Sequence, residues 1–83
     1  QEPKGFGVQI GAFAEYGNVL IQAEKLQKSF SEPIIVSINE LESKTVYKIV
    51  VGAFAKKSEA SKLLGRIKDS GLDGFIRNLK DLE

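Results

Sequence analysis

The stretch Gly-Ala-Phe-Ala at residues 11–14 returns letter for letter at residues 52–55. Each copy follows apolar, partly β-branched residues and precedes a charged segment in which apolar residues are spaced as on a helix. The match continues without a gap, because Leu26 of the first copy aligns with Ile67 of the second. Core positions therefore match core positions, and the repeat indicates a strand–helix unit that occurs twice.

The first copy predicts a strand over residues 6–13, in which apolar residues alternate with others. The spacing then becomes helical from Val19 to Phe30, and Asn18 is a suitable N-cap for this helix. Pro33 ends it, since proline restricts the residue before it and cannot continue the hydrogen-bond ladder.

The second copy is preceded by a hairpin and followed by a helix and a strand. Residues 40–44 are polar enough to connect two strands. Ser58 is the expected cap of the second helix, and Gly71 is the expected glycine just beyond its end. The three further strands are predicted over residues 34–38, 45–51 and 75–79.

The order strand-helix-strand-strand-helix-strand predicts an α+β fold of the ferredoxin-like, RNP-like βαββαβ type. We expect a four-stranded antiparallel sheet in the order 2-3-1-4, with both helices on one face. The whole chain, residues 1–83, is expected to form one domain with its core at about 5–80. The sequence contains no Met, so the chain is expected to be a fragment of a larger protein.

Composition argues against several classes of protein. The net charge of +1 is unlike that of a dedicated DNA binder. Without His or Cys there is no Ser-His-Asp machinery and no zinc site of the usual ligands, so no metal, cofactor or catalytic residue is expected. The carboxylates fall in predicted turns and helices, which argues against glycoside hydrolysis, and the chain is expected not to be an enzyme. No apolar run approaches spanning length, so membrane contact is expected only through missing sequence.

The sheet face without helices, called the open face below, is where a ligand would bind. Gly7 and Gly11 are expected to leave a shallow trough there, with amide, ammonium and aliphatic walls that suit an extended, hydroxyl-rich polymer. The alternative is an ordinary solvated face whose valines reflect strand propensity alone. The residues predicted to face it are Gln9, Ile35, Ser37, Val46, Lys48, Val50, Ile76 and Asn78.

Two other functions share this topology. Residues 4–8, Lys-Gly-Phe-Gly-Val, resemble the opening of the RNP1 octamer of RNA-binding RRM domains. The match lies on the first strand rather than the third, and it stops before the later aromatic positions, so nucleic acid is not the expected partner. A protein- or small-ligand-interaction domain of the same topology is the other alternative.

The motif pair at residues 8–13 and 47–54, VQIGAF and YKIVVGAF, closely resembles the SPOR domain, the sporulation-related repeat. The resemblance covers residues 5–80. It implies a non-catalytic bacterial cell-envelope module that binds peptidoglycan, with a preference for denuded glycan strands at the division septum. It also implies a periplasmic or envelope location, through an anchor or export segment outside this chain, and we expect a monomer.

Site residues are carried over from the family and from the predicted open face. Lysine stands at 48 where the family often has arginine, and Val46 replaces an aromatic found in some members. Tyr16 is a possible aromatic at the end of the groove. The expected glycan-binding residues are Gln9, Gly11, Ala12, Val46, Lys48, Val50 and Ile76.

Overall fold

The computed structural model describes residues 5–82, and the side chains of residues 5–80. Residues 1–4 and 83, which the predicted domain includes, lie outside this described part. The elements are strand β1 (Phe6–Phe13), helix α1 (Tyr16–Ser29), strand β2 (Ile34–Leu41), strand β3 (Lys44–Phe54), helix α2 (Lys57–Asp69), strand β4 (Phe75–Asn78) and a 3₁₀ helix (Leu79–Leu82).

The four strands form one antiparallel sheet in the order β2-β3-β1-β4, which confirms the predicted topology. The two strands that carry the repeated motif, β1 and β3, lie side by side at its centre. Both helices cover the same face of this sheet, as predicted for the split βαβ arrangement.

The main core lies between the helices and the central strands. Its fully buried side chains include Val8 and Ile49 from the sheet, Leu26 from α1 and Ile67 from α2. The two phenylalanines of the repeat, Phe13 and Phe54, are half-buried and pack against this cluster. The interpretation of the repeat as a strand–helix unit that occurs twice is therefore confirmed. Each copy packs one phenylalanine ring against the core at the point where a strand turns into a helix.

Both helices begin earlier than their predicted caps. The N-cap of α1 is Glu15 rather than Asn18, and that of α2 is Lys56 rather than Ser58; neither makes a side-chain cap hydrogen bond. Each helix starts at the same distance from the phenylalanine of its repeat, so the strand-to-helix turn fixes the start. The predicted glycine at the end of α2 is confirmed by the positive φ of Gly71, 89°.

Strands β2 and β3 are longer than predicted because their hairpin is tight. The pairing continues to Leu41 and Lys44, which leaves only Glu42 and Ser43 in the turn. Glu42 has a φ of 54°, a left-handed conformation that is unusual for a residue other than glycine. The predicted polar connection over 40–44 is therefore mostly strand.

An irregularity in β1 changes which residues face which side. Gln9 pairs with Val50 and Gly11 pairs with Ile49, so one extra residue of β1 is inserted between these pairs. Such a bulge reverses the alternation beyond it. Gly11 therefore lies on the helix side with Ile49, and Ala12 lies on the open face with Lys48.

The chain leaves the sheet one residue earlier than predicted. Leu79 begins the 3₁₀ helix instead of ending β4, and its N–H donates a hydrogen bond of 3.0 Å to the carbonyl oxygen of Gly5. Its side chain is buried against Val50 and the half-buried Ile35. This small second cluster covers one end of the open face.

Candidate functional site

The strand register defines the open face. Val8 and Ile49 belong to the helix-side core. Their chain neighbours Gln9 and Val50 therefore point to the opposite side of the sheet, and so do the residues that pair with these two. The described strand residues on the open face are Gly7, Gln9, Ala12, Ile35, Ser37, Asn39, Leu41, Lys44, Val46, Lys48, Val50, Phe75 and Arg77.

Gln9 is at the centre of this face, as predicted, but it is buried. It is 5% exposed and lies between its two cross-strand partners, Val50 on β3 and Phe75 on β4. Its Oε1 atom has no hydrogen-bond partner among the described residues. A buried acceptor without a partner costs about 1–3 kcal/mol, so it is a feature that calls for a functional reason.

The last strand faces the opposite way from its predicted orientation. Ile76 pairs with the core residue Val8, and Asn78 pairs with Phe6, so both lie on the helix side. The prediction of Ile76 as an open-face contact was therefore wrong. Phe75 and Arg77 lie on the open face in their place, and Phe75 is 49% exposed beside Gln9.

Beyond the bulge, the open face carries small and polar side chains. Ala12 is exposed and pairs with Lys48, whose other neighbour on the same face is Ser37 on β2. Val46 is half-buried and pairs with Asn39. The Oδ1 atom of Asn39, like Oε1 of Gln9, is buried without a hydrogen-bond partner among the described residues.

The trough predicted at Gly7 and the glycan contact predicted at Val50 are both absent from the open face. Val50 is fully buried by its contacts with Leu79 and Ile35, so it cannot contact a ligand. A Cβ placed on Gly7 would lie 2.6 Å from Cγ1 of Val50 and 2.6 Å from the carbonyl oxygen of Gly52. Glycine at position 7 therefore makes room for the Val50 side chain and for the neighbouring backbone, rather than for a ligand.

Two further predicted contacts lie on the helix side. Gly11 is turned there by the bulge, where a Cβ would lie 3.6 Å from the ring of Phe13. The ring of Tyr16 contacts that of Tyr47, with centroids 5.6 Å apart, and Tyr47 packs against the helix-side core. Tyr16 therefore does not lie at the end of an open-face groove, and both predictions were wrong.

The charged side chains that the described strands place on the open face have one sign. The strand residues that face it include the cations Lys44, Lys48 and Arg77, and none of those described is a carboxylate. Glu40, the acidic residue of β2, pairs with Thr45 and lies on the helix side. The face can therefore accept an anionic ligand without repulsion from its own strands.

Phe75, Arg77 and Asn39 were not identified from the sequence as site residues. Phe-Ile-Arg-Asn is too short for its periodicity to fix an orientation. Arg77 was the available signal, because an arginine is rarely buried in a core. If Arg77 is placed on the open face, the alternation of a strand places Phe75 there as well.

The arrangement is an open-faced βαββαβ domain, whose described residues place one exposed aromatic ring and two amides on the face that the helices leave uncovered. The SPOR domain family matches residues 2–78, nearly the whole chain. The protein therefore belongs to the SPOR family, a family of non-catalytic, peptidoglycan-binding domains found in cell-envelope proteins. Comparisons with curated proteins and with solved structures gave no match. Neither helix of the described part has the length and apolar character needed to cross a membrane.

Proposed function

We propose that this domain binds glycan strands of peptidoglycan on the middle of its open face, without catalysis, and so brings its parent protein to the cell wall. The observation that carries the proposal is the pairing of Gln9 with Phe75. It sets a buried amide, whose Oε1 has no partner among the described residues, beside a half-exposed aromatic ring. Binding sites commonly combine apolar or aromatic walls with a few polar groups in this way.

Each part of this surface matches a part of a glycan. The ring of Phe75 offers an apolar plane for the C–H face of a sugar. Oε1 of Gln9 and Oδ1 of Asn39 are covered in the free domain, so each amide must turn outward to exchange hydrogen bonds with hydroxyl and acetamide groups. The small side chain of Ala12 lets the polymer approach the sheet next to Lys48.

The charge of the open face supports a preference for denuded glycan. Removal of the stem peptide leaves the lactyl carboxylate of each muramic acid, so a denuded strand carries periodic negative charge without bulky branches. Lys48 pairs with Ala12 on the open face, and its ammonium group is a suitable partner for a carboxylate, while Arg77 adds positive charge beside Phe75.

This preference would bring the parent protein to the division site. Denuded glycan arises where amidases remove stem peptides, so a module selective for it concentrates there. The domain would act in the periplasm or elsewhere in the cell envelope, carried there by a segment of the parent protein outside residues 1–83.

RNA is less well matched to this face. RRM domains stack two or three bases on aromatic side chains of their central strands. Here the central strand β3 presents Val46, Lys48 and the buried Val50, and the exposed ring, Phe75, lies on the edge strand β4.

Cosedimentation with purified sacculi tests the proposal. Amidase treatment, which increases denuded glycan, should increase the bound fraction. Phe75→Ala and Gln9→Ala should each weaken binding about 5- to 30-fold, the equivalent of about 1–2 kcal/mol for one lost contact. The matched controls Lys25→Ala and Lys62→Ala, on exposed positions of the two helices, should bind like the wild type.

Two results would overturn the proposal. Undiminished binding by a folded Gln9→Ala/Phe75→Ala double variant would show that the open face is not the site. An equal loss in the Lys25 and Lys62 variants would show diffuse attraction to an anionic wall. Binding that does not change with amidase treatment would overturn the denuded preference alone.

A further inference from the structure

Strand β2 forms an edge of the sheet. It spans Ile34–Leu41, pairs with β3 along its whole length without a bulge, and has no second strand neighbour among residues 5–82. Edge strands are usually protected from pairing with other chains by lysine, proline or a bulge. The strand contains neither lysine nor proline, so its outer edge is suited to pairing.

Apolar side chains line the helix side of this edge. Val36 and Ile38 face that side and are 37% and 56% exposed. Tyr16 and Leu20, one helical turn apart on α1, are 55% and 52% exposed. The Tyr16 ring contacts Tyr47, which pairs with Ile38, so this flank of α1 faces β2. Below, the β2 seam means the outer edge of β2 together with Val36, Ile38, Tyr16 and Leu20.

The opposite flank of α1 faces α2 and has a different character. A shallow pocket of about 380 Å³ lies there, lined by Gln22, Lys25 and Ser29 of α1 and by Ser70 at the end of α2. The apolar surface of α1 is thus confined to the seam flank and to the isolated Ile21 on the solvent side. A helix of a monomer normally presents polar residues to solvent.

We propose that the β2 seam is a homodimer interface, in which β2 pairs antiparallel with β2 of a second copy about a twofold axis at Ser37. In this register Val36 lies opposite Ile38 of the second copy, and Ile34 lies opposite Glu40. The exposed apolar residues of the helix side therefore meet each other, and no like charges face across the axis. The result is one eight-stranded sheet.

The shape of the seam favours a second copy over a bound peptide. A peptide strand would cover Val36 and Ile38 but not Leu20 and Tyr16, which lie in the helix layer above. The twofold axis is perpendicular to the sheet, so both helix layers lie on the same side. Since α1 packs mainly over β3, the two α1 helices come about 14 Å apart at a strand spacing of about 4.8 Å. The Leu20 and Tyr16 side chains of both copies fill that gap.

The area of the seam is sufficient for a specific but modest interface. The four half-exposed apolar side chains provide on the order of 400 Å² of exposed apolar surface on each copy. This is as large as the largest exposed apolar patch of a typical monomeric protein. The strand edge adds to this, which brings the total near the lower end of stable interfaces, about 1,200 Å². A monomer was expected from the sequence, because the apolar side chains of α1 and β2 come together beside this strand edge only in the folded domain.

Sedimentation equilibrium and light scattering, from micromolar to millimolar chain concentration, test the dimer. The mass should rise from the 9.1 kDa of one chain toward twice that value. Ile38→Lys and Leu20→Lys should each weaken self-association at least about 10-fold, because each places two unpaired charges in the interface. Ile21→Lys is the matched control, since Ile21 is also 56% exposed but lies outside the seam, and it should dimerise like the wild type.

A wild-type chain that stays monomeric at millimolar concentration would overturn the dimer, and so would a dimer that both seam variants leave intact. Circular dichroism melts confirm that the variants are folded. If the domain binds glycan as proposed above, the dimer presents two open faces on one side of a continuous sheet. The two proposals fail separately, because Phe75→Ala should weaken glycan binding without changing the mass, whereas Ile38→Lys should change the mass and leave each open face intact.

Discussion

Replacing Gln9 by methionine should stabilise the fold and weaken glycan binding at the same time. Gln9 is 5% exposed, and its Oε1 has no partner among the described residues. An unsatisfied buried acceptor costs about 1–3 kcal/mol, and an apolar side chain of similar shape removes that cost. Its cross-strand neighbours Val50 and Phe75 are apolar, so a methionine thioether packs there without a new polar conflict.

The expected gain for Gln9→Met is about 1–2 kcal/mol in the free energy of unfolding. For a domain of this size, that corresponds to a rise in melting temperature of about 5–15 °C. Urea denaturation followed by circular dichroism measures the gain, and cosedimentation with amidase-treated sacculi measures the loss of binding, expected to be about 5- to 30-fold.

Gln27→Met is the matched control, because Gln27 is an exposed glutamine of α1. It should change neither stability nor binding. A Gln9→Met variant that unfolds more easily than the wild type would refute the reasoning, since it would show that the Gln9 amide is satisfied in the free protein. A stabilised variant with full glycan binding would show that the buried amide has no role in recognition.

Three further changes test the fold and the electrostatics. Phe54→Ala should lower the free energy of unfolding by about 2–3 kcal/mol in a urea titration. The loss is smaller than the roughly 3–5 kcal/mol expected for a fully buried ring, because Phe54 is half-buried. An unchanged urea midpoint would show that the ring does not support the core. Glu42→Gly should raise the free energy of unfolding by about 0.5–1 kcal/mol in the same assay. A left-handed backbone conformation costs about 1–2 kcal/mol at any residue other than glycine. A loss of stability would contradict this. Lys48→Ala should weaken glycan binding several-fold at low salt and much less at high salt, since ionic attraction is screened; a loss that does not depend on salt would exclude a Coulombic role.

The fold was predictable because several signals in the sequence agree. The repeated Gly-Ala-Phe-Ala stretch places β1 and β3 together, and the apolar spacings after each copy give α1 and α2. The helix starts were predicted at Asn18 and Ser58 because these are good caps. The actual starts follow the strand-to-helix turn, so local propensity was overridden by the geometry of the repeat.

The site was less predictable because it depends on register. Strict alternation placed Gly11 on the open face, and a single inserted residue in β1 turns it to the other side. The four residues of β4 are compatible with either face of the strand pointing toward the helices. The wrong orientation was predicted, so Ile76 rather than Phe75 was assigned to the open face. The burial of Val50 depends on Leu79, which was assigned to a strand rather than to a 3₁₀ helix.

Titration of the ¹⁵N-labelled domain with purified denuded glycan, followed by two-dimensional NMR, tests the central claim most directly. The account predicts that amide shifts are concentrated on the open face, at Gln9, Ala12, Lys48 and Phe75, and that the outer positions of the helices, such as Lys25 and Lys62, stay in place. Shifts confined to the helix layer, or spread evenly over the lysines of the surface, would contradict glycan binding by the open sheet.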